Sequence, residues 1–99
     1  MPRLESDFQS LFQDEVLTLF PEALILKLDN RYLQGVPDRL ILNWDRWATL
    51  EFKRDALAKV QPNQPHYVEL MNRMSYSSFV YPENAEAKLR ELERALRPR

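Results

Sequence analysis

Asp38, directly after Pro37, and Glu51 and Lys53 on either side of Phe52 are the residues whose types and spacing suit chemistry: two carboxylates able to share a cation, with an amine alongside. Leu40-Ile41-Leu42 and Trp47-Ala48-Thr49-Leu50 read as strands, and Asn43-Trp44-Asp45-Arg46 between them reads as a four-residue hairpin loop. If Leu42 faces Trp47, then Leu40 stands opposite Thr49 and Asp38 opposite Glu51. Opposed residues on antiparallel strands have Cβ atoms roughly 4.5–5.5 Å apart, and Lys53, two residues past Glu51, points to the same side. Two carboxylates that close ionise together only with a cation between them, which points to a divalent metal with oxygen ligands, Mg²⁺ first. A slip of one residue would send Asp38 and Glu51 to opposite faces, so register decides the matter.

Other elements must hold that hairpin in place. The spacing predicts a helix over 5–19, with Leu4, Phe8, Leu11, Phe12, Val16 and Leu19 inward, ended before Pro21. Glu15 falls inside that stripe, where a carboxylate needs a partner. Residues 23–28 suit a strand, Gly35 a tight turn into the site, and Pro37, which lacks an N–H, the start of a strand at Asp38. Beyond the polar stretch 54–62, residues 64–74 read as a helix with Val68, Leu70 and Met71 inward, and 76–81 as a further strand. Asn84 is placed to cap a last helix striped by Leu89, Leu92 and Leu96. The order is α-β-β-β-α-β-α, with no internal repeat or low-complexity tract.

The 99 residues fit one domain, spanning 1–99, that buries only about two-thirds of its unfolded surface, and so small a core favours oligomerisation. Hydrophobic content of 44% and charged content of 29% are those of a folded protein. With no cysteine, disulfides, thiolate zinc sites and cysteine nucleophiles are excluded. The N-terminal residues lack a signal-peptide pattern and no window is apolar enough to span a membrane, so a cytoplasmic protein without a membrane partner is expected. A net charge of -1 means that any nucleic-acid binding rests on a local basic patch.

Gly35-Val36-Pro37-Asp38, Glu51-Phe52-Lys53, and Gln64 at a helix start eleven positions after the lysine together resemble the PD-(D/E)XK nuclease superfamily. The pattern is most similar to the compact stand-alone VRR-NUC nucleases of phages. The resemblance covers roughly residues 4–81 and implies a restriction-endonuclease-like α/β (α+β) domain with a central mixed sheet flanked by helices. It implies Mg²⁺, with Mn²⁺ able to substitute, held by Asp38, Glu51 and the backbone carbonyl of Phe52. Lys53 would orient or help deprotonate the attacking water, and Gln64 would position the site or the substrate; Gln61 is the alternative. Glu5 best matches the family's helical acid, with Glu15 its competitor. The implied reaction is phosphodiester hydrolysis leaving 5′-phosphate and 3′-hydroxyl ends, in a phage-encoded protein acting in the host cytoplasm.

Arg31, Arg39, Arg54, Lys59 and Arg73 flank the candidate site and suit phosphates, though scattered single cations commonly serve solubility alone. His66, one step past Gln64, reads as a surface residue before a phosphate contact. Trp44 at the hairpin tip suits a base or a second subunit, whereas Trp47 reads as core. The last helix, with Arg90, Arg94 and Arg97, suits either a dimer interface or a wider DNA surface. A chain this short has no room for a separate sequence-reading module, so branched DNA is the expected substrate. A two-fold homodimer matches the paired cuts of a Holliday junction. The rivals are a weakly catalytic DNA-binding or assembly module of the same fold, and a nuclease acting on flaps or RNA.

Overall fold

The computed structural model describes residues 5–98, the side chains of Glu5 and Ser6 excepted. Along the chain run α1 (Glu5–Leu19), β1 (Leu24–Lys27), β2 (Arg39–Asn43), β3 (Arg46–Phe52), α2 (Asn63–Met74), β4 (Tyr76–Val80) and α3 (Ala85–Leu96). This is the α+β order expected from sequence. The strands form one mixed sheet, β1-β2-β3-β4, antiparallel except for the β3–β4 pair, whose parallel return is made by the α2 crossover. Among the described residues no helix is long and apolar enough to cross a membrane.

The hairpin register is the one counted from sequence: Leu42 pairs with Trp47 and Leu40 with Thr49. Its loop is shorter than expected. Asn43 and Arg46 also pair, leaving a two-residue turn, Trp44-Asp45. Trp44 takes φ 56°, the positive value that the first central residue of such a turn requires and that glycine or asparagine usually supplies. Nothing in the sequence announces it.

One face of the sheet carries the core. Ile41, Ala48, Leu50, Phe52 and Val80 pack against Phe12 and Val16 of α1 and Leu92 and Leu96 of α3, all buried. The α1 stripe is Phe8, Phe12 and Val16, spaced by four, and is narrower than the sequence suggested. Leu11 and Leu19 turn outward, and Glu15 is exposed and needs no buried partner. Leu92 and Leu96 are fully buried, so the α3 stripe serves the core and not a subunit interface. Asn84 does not cap α3 with its side chain; its amide accepts from Tyr81 N–H (2.9 Å) and donates to Phe79 O (3.1 Å), tying the end of β4 to the helix start. At the other end of α3, the buried Asn43 amide donates to Leu96 O at 2.8 Å, satisfying one orphan carbonyl of the last turn.

The opposite face is only half covered. Helix α2 lies over β3 and β4, where Val68 is buried and Thr49 Oγ1 donates to Ser77 Oγ at 2.8 Å. Over β1 and β2 that face stays open, with Leu24 and Leu26 exposed and Leu40, Leu42 and Trp47 half-buried. Trp47, expected in the core, therefore lies at its margin.

Candidate functional site

The antiparallel ladder ends at Arg39 and Leu50, so Asp38 and Glu51 stand opposite each other one residue beyond it. Pro37 is buried, and the Asp38 carbonyl accepts from Leu28 N–H at 2.8 Å, which holds the start of β2 against the end of β1. Across the sheet, Phe52 N–H donates to Asp38 Oδ2 at 3.1 Å and fixes that carboxylate to β3. Phe8 and Phe12 meet the Phe52 ring edge-on, centroids 6.0 and 5.8 Å away, so the core clamps the residue between Glu51 and Lys53. Asp38, Glu51 and Lys53 line one open pocket of about 520 Å³. Glu51 is only 4% exposed.

The Lys53 ammonium is held by neutral oxygens. Its Nζ donates to Gln64 Oε1 at 2.7 Å and to Lys59 O at 3.3 Å, and it lies 5.9 Å from the centre of the Phe79 ring. No ion pair among the described residues involves it, and Asp55, two residues on, pairs with Arg54. Gln64 sits in the first turn of α2, and its Oε1 also accepts from Gln61 N–H at 2.9 Å. Gln61, the alternative to Gln64, thus contributes its backbone to the same oxygen. The chain's single glycine seats this turn. Gly35 has φ +92°, and a Cβ placed there would lie 2.5 Å from Asn63 Cβ, so the loop before Asp38 abuts α2 at the residue preceding Gln64.

Of the five cations singled out in the sequence, Arg39, Arg54 and Lys59 line the pocket. The Arg39 guanidinium donates to Asp38 O (3.3 Å) and Gln9 Oε1 (3.4 Å). Arg31 belongs to a neighbouring cavity shared with Gly35, Asn63 and Gln64, and pairs with Asp29 at 2.6 Å. Arg73 does not join them. It lies in the last turn of α2, nine residues from Gln64 and about 13 Å along the helix axis. His66 is exposed and packs edge-on against Tyr67. Trp44 crowns the far end of the hairpin, roughly 20 Å of strand from Asp38. The Glu5 side chain lies outside the described residues. Sequence reasoning missed Lys27 and Gln9, which also line the pocket; Lys27 is brought there by its pairing with Arg39 across β1 and β2, which the sequence does not signal.

The donor set is oxygen throughout, which suits a hard cation. Among the described residues no three His, Cys, Asp or Glu side chains gather at one point. Among the described residues Asp38 and Glu51 are the carboxylates that line the pocket. Mg²⁺ keeps several waters and commonly uses one or two carboxylates plus substrate phosphate, so two acids beside an open pocket fit it.

No family model matches the chain, and no curated protein matches it. A solved structure described as a VRR_NUC domain is similar to it, with TM-score 0.59 and 24% identity, over 83% of this chain and 92% of the other. At that level the likeness is one of fold: this chain has the architecture of a compact VRR_NUC-like domain, a four-stranded mixed sheet with three helices.

Proposed function

We propose that the chain is a metal-dependent endonuclease that hydrolyses phosphodiesters in DNA, with branched DNA such as a Holliday junction as its substrate. The observation that carries this reading is the junction of two facing acids with an ammonium held by neutral oxygens, in one pocket rimmed by Arg54 and Lys59. Asp38 and Glu51 would hold Mg²⁺, or Mn²⁺ in its place, with the Phe52 carbonyl as a third oxygen, and the ion would supply Lewis acidity at the phosphate.

Lys53 has three N–H donors, of which Gln64 and Lys59 occupy two. The third, with the full positive charge, serves the attacking water and a non-bridging oxygen as charge builds on the phosphate. Gln64 is the positioning residue for that amine. Arg54 and Lys59 take the flanking phosphates, the local patch that a chain of net charge -1 needs. The fold similarity to a VRR_NUC domain supports a nuclease. Paired cuts need two copies, and edge strand β1, with Leu24 and Leu26 60% and 43% exposed, offers a surface for the second.

The test incubates the parent and its Glu51→Ala and Lys53→Ala variants with four-way junction, flap, duplex and single-stranded DNA and with RNA, in Mg²⁺, Mn²⁺ or chelator. Cleavage of branched DNA by the parent alone, abolished by chelator and leaving 5′-phosphate ends, is expected. RNA cut in preference to DNA would reassign the substrate, and equal nicking by parent and variants would remove the assignment.

A further inference from the structure

Two side chains stand out beyond the pocket itself. Tyr32 and Leu57, at 94% and 95% exposure, are the most exposed large apolar residues among those described. Both sit on loops that wall the site. Leu57 directly precedes Ala58 and Lys59, which line the Asp38–Glu51 pocket. Tyr32 directly follows Arg31, which lines the adjoining cavity with Gln64.

Neither loop is slack. The Leu57 N–H donates to Asp55 Oδ1 at 2.9 Å, Ala58 N–H to Asp55 O at 3.2 Å, and Ala56 N–H to Glu83 Oε2 at 3.2 Å. The other loop is folded by Arg31 N–H on Asp29 Oδ1 (2.9 Å) and Val36 N–H on Leu33 O (3.2 Å), and is seated on α2 through Gly35. Each turn thus holds an apolar side chain out in water within two residues of a cation, Arg31 for Tyr32 and Lys59 for Leu57. Turn tips ordinarily carry polar residues, because an apolar group there forgoes burial. An apolar tip next to phosphate-binding charge is the combination that engages bases displaced from their stack, with phosphates on either side.

The geometry points to Tyr32 and Leu57 as wedge residues that pack against unstacked bases flanking the phosphate held at Asp38, Glu51 and Lys53. They are thereby specificity determinants for nucleic acid whose strands are already parted at the cut. This rests on the endonuclease reading and deepens it. Trp44, the other exposed aromatic, lies at the opposite end of the hairpin and takes no part.

The experiment places 2-aminopurine, whose fluorescence rises on unstacking, at the branch of a four-way junction and at the matching position of a linear duplex. The full chain is added with Ca²⁺ in place of Mg²⁺ to keep the DNA uncut. The parent should raise the junction signal, and Leu57→Ala and Tyr32→Ala should lose most of that rise, while Tyr32→Phe and Leu57→Met retain it. Junction affinity should fall about tenfold in Tyr32→Ala, the scale of one lost base–aromatic stack. Parental signal in both alanine variants would overturn the inference, as would a loss of signal tracking a changed sedimentation coefficient, which would assign these residues to a protein contact. Cutting in Mg²⁺ is read separately. A parent that unstacks the branch without cutting would remove the endonuclease reading and leave the wedge, whereas cutting with no unstacking would do the reverse.

Discussion

The two ends of the β2–β3 hairpin are built to opposite specifications. At the turn end the chain closes in two residues, and the buried polar side chain there, Asn43, is consumed by a structural contact with Leu96 O. At the open end the ladder stops short, and Asp38 and Lys53 are held by backbone groups and by a neutral amide beside Glu51, around a pocket open to solvent. A buried polar group satisfied inside the fold adds stability, whereas one held in position with capacity to spare is equipped for a ligand. The difference assigns stability to one end and chemistry to the other, and variants separate the two.

The largest effect falls at the open end. Lys53→Ala should lower cleavage of branched DNA about a hundredfold or more, the scale of losing one preorganised charge donor at a transition state, with the urea midpoint nearly unchanged. Leu92→Ala probes the core under both ends. It should cost about 2–5 kcal/mol of unfolding free energy while the cleavage rate per folded molecule stays at the parental value. An equal loss of rate would mean that stability and chemistry are not separable here.

Gly35→Ala joins the two effects in one residue. A Cβ at φ +92° and 2.5 Å from Asn63 Cβ should cost about 1–3 kcal/mol and also displace Gln64 from Lys53, so urea unfolding and cleavage fall together. Asn43→Ala, at the turn end, should cost about 1–2 kcal/mol for the unsatisfied Leu96 carbonyl and leave cleavage per folded molecule untouched.

The smallest effect is a pH dependence on the neighbouring strand, where Tyr76 pairs with Ala48 of β3. Burial pushes the Tyr76 phenol well above its ordinary value of 10.0, and the Glu91 carboxylate that accepts its hydrogen bond at 2.8 Å raises it further. The folded chain therefore holds this proton more tightly than the unfolded one. The resulting stability is full below pH 10 and is lost as pH rises beyond it. In Tyr76→Phe the alkaline fall in melting temperature should be shallower than in the parent.

Much of this was legible because it is local. Pro37 marks a strand start, the alternation of Leu40 and Leu42 against Trp47 and Thr49 sets the register, and counting along that register places Asp38 opposite Glu51. What escaped sequence reasoning depends on contacts between distant segments or on unusual backbone. The tight turn hid because a tryptophan occupies a positive φ. Glu15 looked buried because two outward leucines widened the apparent stripe of α1, and which arc of a helix faces the core is decided by what packs on it. The seating of Gly35 on Asn63, the Lys59 carbonyl on Lys53, and Gln9 and Lys27 at the pocket wall all arise from tertiary packing. No spacing rule reports them.

The central claim is that Asp38 and Glu51 share one cation beside Lys53, and Mn²⁺ binding followed by electron paramagnetic resonance tests it without any substrate. The parent should bind one Mn²⁺, Asp38→Asn and Glu51→Gln should each lose it, and Lys53→Ala should keep it or bind it more tightly for want of a neighbouring positive charge. Equal Mn²⁺ affinity in the parent and both carboxamide variants would contradict the claim.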